Sequence, residues 1–198
     1  MRTTRELATI AIFTSLIIAS DFSLTPFPNV KLLDTLVFSI AFVFGFGMGT
    51  SVAITSEVIW GFVSPYGPAS LINIFTVLGE LFFVIAGVLA SRVWKQDENR
   101  TWGLSLESFY FGAIIAICAF LWDFETNLAM GLIADGFKFT FYALTFEITG
   151  ASFAIVHEAS DFLIGSALAP VAITFFSHTL KRRPLAVSPR AINQEENV

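Results

Sequence analysis

The chain has 198 residues and a net charge of −5; 55% of it is hydrophobic and only 14% is charged, where an average soluble domain carries about 25% charged residues. A mean hydropathy of +0.74 with 23 phenylalanines excludes an ordinary soluble domain and predicts an all-α, polytopic membrane protein. The single cysteine excludes an intrachain disulfide, and the acidic balance gives no footing for nucleic acid.

Six apolar spans are read along the chain, forming one domain over residues 1–180, with a polar, disordered tail at 181–198. The first span runs from about Leu7 to Ser20, and Asp21 to Lys31 reads as a loop marked by Pro26, Pro28 and Asn29. The second covers about Leu32 to Phe44. Gly45, Gly47 and Gly49 then read as a tight turn, and the third span follows from about Thr50 to Val63. Ser64 to Pro68 is a turn, the fourth span runs from about Leu71 to Val93, and residues 94–105 are a polar loop. The fifth begins near Leu106 and reaches at least Trp122. Residues 123–148 fit either a loop with a short helix or a re-entrant segment, and the sixth span covers about Gly150 to Phe176. The second and third are short against the ~20 residues a helix needs to cross a bilayer.

Orientation follows from the basic residues. With six spans and the N-terminus inside, nine of the eleven Lys and Arg fall on the inner side: Arg2, Arg5, Arg92, Lys95, Arg100, Lys181, Arg182, Arg183 and Arg190. Only Lys31 and Lys138 fall elsewhere. Positive charge gathers on the cytoplasmic side, so both termini are expected in the cytoplasm of a cell-membrane protein.

That orientation sorts the ionisable residues within the spans, each of which needs a partner, water or a ligand in hydrocarbon. Asp34, Glu57, Trp60, Asn73, Glu80, Trp122, Asp123 and Asn127 lie toward the outer half, and His157 and Asp161 lie one turn apart on the sixth span. The inner halves carry almost no charge, which predicts a polar cavity open to the outside. The expected pocket is lined by Trp60, Glu80, Trp122, Asn127, His157 and Asp161, with Asn29, Lys31 and Tyr66 above it. Each residue also has a structural reading: His157 with Asp161 as an internal pair at i, i+4, Asp34 as a helix N-terminal acid, and Trp60, Tyr66 and Trp122 as interfacial aromatics.

Catalysis finds little support. His157-Glu158-Ala159-Ser160-Asp161 has Asp where the zinc motif HExxH has its second His, and His178 lies ~30 Å along the same helix. Three protein ligands are usual at zinc, so no metal site, no cofactor and no enzyme activity are expected. On the first span Ala11, Ser15 and Ala19 recur every fourth residue with Ala8 before them, a spacing that permits close helix packing in lipid.

These features resemble the substrate-binding S component of energy-coupling factor (ECF) transporters, over roughly residues 6–180. Ala11-Ile-Phe-Thr-Ser15 is similar to that family's AxxxA motif, with Ser for the second Ala. Pro28-Asn29-Val30-Lys31 and Pro65-Tyr66-Gly67-Pro68 are similar to its outer loops, and Asp123 to Asn127 with Phe153 to Glu158 to the end of its fifth helix and its sixth. The resemblance implies a membrane-embedded subunit that captures a vitamin or related micronutrient outside. It delivers that solute inside with a membrane T component and two cytoplasmic ATPases, and Ala11 and Ser15 contact the T component. Arg2 stands where cobalt and nickel members carry a His, which argues against metal uptake. The acid-rich cavity favours a neutral or cationic ligand. The alternative is a self-contained secondary transporter or channel that uses Glu57 or Glu80 as its ion or proton site.

Overall fold

The computed structural model describes residues 3–65, 70–94, 105–138 and 141–178. Among them are six helices and no strand: α1 (Thr4–Leu24), α2 (Leu33–Phe44), α3 (Phe46–Val63), α4 (Ile72–Val93), α5 (Leu106–Ala134) and α6 (Phe141–Phe176). Five are long and apolar enough to cross a membrane; α2, with 12 residues, is the exception.

α2 organises the bundle. At 1.5 Å per residue it is about 18 Å long, yet every residue from Leu33 to Val43 is buried. A helix that is apolar all round belongs inside other helices, and α2 touches all five of the others. Small residues set how closely they approach it. A Cβ on Gly87 of α4 would run into the backbone carbonyl of Phe38 and lie 3.1 Å from the Ala41 Cβ; one on Gly49 of α3 would lie 2.7 Å from that Cβ.

The expected turn of three glycines is one residue. Gly45 alone links α2 to α3, at φ +83°, a conformation that disfavours any Cβ. Gly47 and Gly49 are helical, so α3 begins at Phe46 and not at Thr50. α1 begins earlier than expected because Thr3 and Glu6 form a capping box: the Glu6 N–H donates to Thr3 Oγ1 at 3.2 Å and the Thr3 N–H to Glu6 Oε2 at 2.8 Å. α1 also ends later, so Asp21 lies in its last turn rather than in a loop.

Within 123–148 the described residues are helical except at the turn of 135–138, whereas the sequence fits a loop with a short helix or a re-entrant segment. α5 continues to Ala134 and α6 starts at Phe141, nine residues before the expected Gly150. The turn between them puts Gly136 and Phe137 at φ +63°, closed by the Phe137 N–H donating to the Leu132 carbonyl at 2.6 Å. The acids that suggested a loop, Asp123 and Glu125, are therefore helical. α5 and α6 form a long antiparallel pair. Gly112 of α5 faces the Phe162 carbonyl and Ser166 of α6 with no room for a side chain, and Pro170 cannot donate to the Ser166 carbonyl one turn back.

Two glycines of neighbouring helices make a controlled comparison. Gly87→Val is expected to destabilise the bundle by about 1–3 kcal/mol through overpacking against α2. Gly47→Ala has nothing within 4 Å of the new methyl, and should be neutral or stabilising by about 0.5–1 kcal/mol. Thermal unfolding in detergent checks both; equal midpoints for the two variants would remove the close approach of α4 to α2 as a determinant.

Candidate functional site

The first turn of α2 carries Asp34, an acid favoured at a helix N-terminus but here 0% exposed. It needs a partner, and α6 supplies one. His157 Nε2 lies 3.0 Å from Asp34 Oδ2, and Nδ1 of the same ring lies 2.9 Å from Asp123 Oδ2 of α5. One imidazole thus joins three helices. A doubly protonated ring satisfies both carboxylates; a neutral ring donates to one only. Asp161, one turn along α6, is 0% exposed with its Oδ2 3.9 Å from His157 Nε2. The carboxyl of Glu80 on α4 adjoins Asp34.

Above this node lies a cavity of about 250 Å³ at the end of the bundle where α1 and α3 finish and α4 begins. Asp21 and the 27–31 segment, Glu57 and Trp60 of α3, Asn73 and Thr76 of α4, and Trp122 of α5 line it. Trp122 connects the two levels. Its ring meets His157 edge-on at 5.5 Å, Lys31 Nζ sits 4.4 Å over its centroid, and its Nε1–H donates to the Thr76 carbonyl at 3.2 Å. Gly79 makes this possible, since a Cβ there would lie 2.5 Å from the indole Cδ1.

The roof of the cavity is fastened to the bundle. Asn29 adopts φ +58°, a left-handed conformation that Asn tolerates better than most residues. Its Nδ2 donates to the Phe153 carbonyl of α6 at 3.0 Å, and the Leu32 N–H donates to Asp21 Oδ1 at 3.2 Å. Lys31, in this same α1–α2 connection, is half-buried. Burial pulls its pKa down, but the carboxylates of Glu57, Asp34, Glu80 and Asp21 outweigh that and hold it above the ordinary lysine value.

The residues proposed for the pocket from sequence fall into four places. Asn29, Lys31, Trp60 and Trp122 share the cavity. Glu80, His157 and Asp161 do not line it; they are buried in the node beneath. Asn127 lies elsewhere, in a separate cavity between α5 and α6 with Asp123, Glu147 and Glu158, its amide against Gly150 where a Cβ would lie 2.6 Å away. Tyr66 lies outside the described residues. Ala11 and Ser15 are exposed on α1, on a face shared with Ile12 and Leu16. Glu57 and Asn73, sorted by sequence to the outer half, also line the cavity, and so does Asp21, which the sequence places in a loop.

No family model, no curated protein and no solved structure matches this chain. The site therefore stands on its own geometry.

Removing the imidazole should be severe. His157→Leu leaves Asp34 and Asp123 buried and facing each other without the shared partner, and breaking a buried ionic contact costs about 3–5 kcal/mol. The expected readout is a large drop in unfolding midpoint or loss of monodisperse protein in detergent. A variant as stable as the parent would show that the node is not what holds α2, α5 and α6 together.

Proposed function

We propose that this protein is the membrane-embedded substrate-binding subunit of an importer of the energy-coupling factor type, a six-span bundle with both termini cytoplasmic. It takes a small micronutrient from outside and passes it inward together with a T component and two ATPases. The observation that carries the reading is the cavity at one end of the bundle, where two indoles, a lysine and several amide and carboxyl groups converge under a fastened roof. Mostly apolar walls with a few convergent polar groups are the usual form of a small-molecule site. With the inner side taken from the basic residues, this mouth opens outward. The exposed Ala11 and Ser15 stripe on α1 supplies a flat surface for a partner helix.

The size of the cavity narrows the ligand. About 250 Å³ is at or below the lower end of the ~300–1,000 Å³ usual for ligand sites, which fits a one- or two-ring solute and disfavours a corrinoid macrocycle. Trp60 offers a stacking face, and Glu57 beside Asp21 offers anchors for a cationic or amide-bearing group. An ion-coupled carrier is the second reading, supported by the burial of Glu80 next to Asp34. Uptake by the chain alone in proteoliposomes under an ion gradient would favour that reading over the first.

Native mass spectrometry of the purified protein is expected to show a co-purifying small molecule. With that molecule as ligand, Glu57→Gln should weaken binding by roughly 10- to 150-fold and Asn73→Ala by roughly 2- to 10-fold, the losses that follow from about 1.5–3 and 0.5–1.5 kcal/mol for a charged and a neutral hydrogen bond. Wild-type affinity in both variants, measured by tryptophan fluorescence titration, would move the binding site away from this cavity.

A separate outcome concerns the partner. Ala11→Trp and Ser15→Trp should abolish or strongly weaken co-purification with a T component while leaving ligand affinity unchanged, because bulky side chains hold the helices apart. Undiminished complex formation would take α1 off the docking surface.

A further inference from the structure

Six buried carboxyls, those of Asp21, Asp34, Glu57, Glu80, Asp123 and Asp161, face one lysine and one imidazole. The imbalance is sharpest at Glu80 and Asp161, both 0% exposed with neither carboxyl oxygen partnered among the described residues, and of the two Asp161 lies beside the imidazole. Asp34 Oδ1 is likewise buried without a hydrogen-bond partner among the described residues. A buried polar atom left without a partner is costly and marks a place where something else binds. The unpartnered group points at one spot: one carboxylate oxygen each of Asp161 and Asp34 and a ring nitrogen of His157 lie within 4.8 Å of one another.

We propose that Asp34, His157 and Asp161 bind a divalent transition-metal cation beneath the cavity. The distances suit it. His157 Nε2 lies 3.0 Å from Asp34 Oδ2 and 3.9 Å from Asp161 Oδ2, values that bracket the edge of about 3.4 Å expected between ligands of a tetrahedral ion with ~2.1 Å bonds. The surroundings suit it as well. Metal-bound histidines almost always donate their other ring N–H to a carboxylate or carbonyl, and Asp123 Oδ2 stands 2.9 Å from Nδ1. That bond fixes the tautomer in which Nε2 presents its lone pair to the ion. One nitrogen and two carboxylate oxygens form a mixed set, favouring Zn²⁺, Co²⁺ or Mn²⁺ over a soft ion such as Cu⁺ and over all-oxygen ions such as Mg²⁺. Two carboxylates balance the charge of the ion, and three ligands leave a coordination position open.

The site was hidden in one dimension because Asp34 lies 123 and 127 positions from His157 and Asp161; only the packing of α2 against α6 brings it to that pair. It does not depend on which solute the cavity takes, and it holds equally for an importer subunit and for a carrier. The rival explanation of the same distances is an imidazolium held between carboxylates with no metal.

The test uses the full chain in detergent, stripped with EDTA and then given ZnCl₂ or CoCl₂ alone. After desalting, elemental analysis should find about one Zn²⁺ per chain, and the Co²⁺ form should show visible d–d absorption of a low-coordinate site. Asp161→Asn should lower Zn²⁺ affinity by at least tenfold while remaining folded, since it removes no hydrogen bond seen in the structure. Asp123→Asn should lower it about 10- to 100-fold, as loss of an orienting partner does. His178→Gln, on the same helix but outside the cluster, should leave it unchanged and so accounts for surface binding. No retained metal in the wild type, or equal retention in Asp161→Asn, would overturn the proposal in favour of the imidazolium.

Discussion

A charge moved into hydrocarbon costs several kcal/mol unless something inside the protein answers it, and this bundle is built around meeting that requirement at one point. Asp34 is the group that creates the demand. It sits at the start of the one helix that has no lipid face, so neither headgroups nor water can solvate it. His157 answers from α6 and is itself held by Asp123 from α5. The three helices therefore meet at a single ring with a carboxylate at each nitrogen, in a setting where removing either partner would be far worse than the pair is favourable.

The rest of the architecture follows from that tie. α2 can be short because it does not have to reach both surfaces; it has only to fill the space between the other five. Its shortness leaves a hollow at the end where it begins, and the 27–31 segment roofs that hollow. Lys31 reaches into it over Trp122, a contact worth about 0.5–2 kcal/mol. The floor of the cavity is thus Trp122, and below Trp122 is His157. Anything that binds in the hollow lies one aromatic ring away from the node, which couples ligand chemistry to the contacts holding α2, α5 and α6.

Much of this was legible in the sequence, and the boundary of what was not is physical. Apolar runs mark all six helices, five of them long and apolar enough to cross a membrane, and of the polar and aromatic residues that the sequence sorts to the outer half, Glu57, Trp60, Asn73 and Trp122 line one cavity. The links between helices were not legible. The i, i+4 spacing of His157 and Asp161 suggested a pair, yet the closer partners of His157 are Asp34 and Asp123 on other helices. The local pattern around residues 123–148 misleads because a charged residue in a span looks like an exposed one. Asp123 is buried where α6 brings a histidine to it. Asn127 departs from the expected pocket for a related reason: side does not give facing, and its amide lies against Gly150 of the adjacent helix and lines a separate cavity. Gly47 and Gly49 look like turn residues in sequence, whereas Gly49 serves close helix approach and of the three only Gly45 has a positive φ.

The central claim is that one imidazole, shared between carboxylates of two other helices, fixes the floor of the cavity. The chain has two histidines, so selective ¹⁵N-histidine labelling gives a spectrum with only two rings in it. The account predicts one ring with an N–H proton shifted downfield and protected from exchange with water, moved by Asp123→Asn and unaffected by substitution of His178. Two rings that both exchange freely with solvent would contradict it.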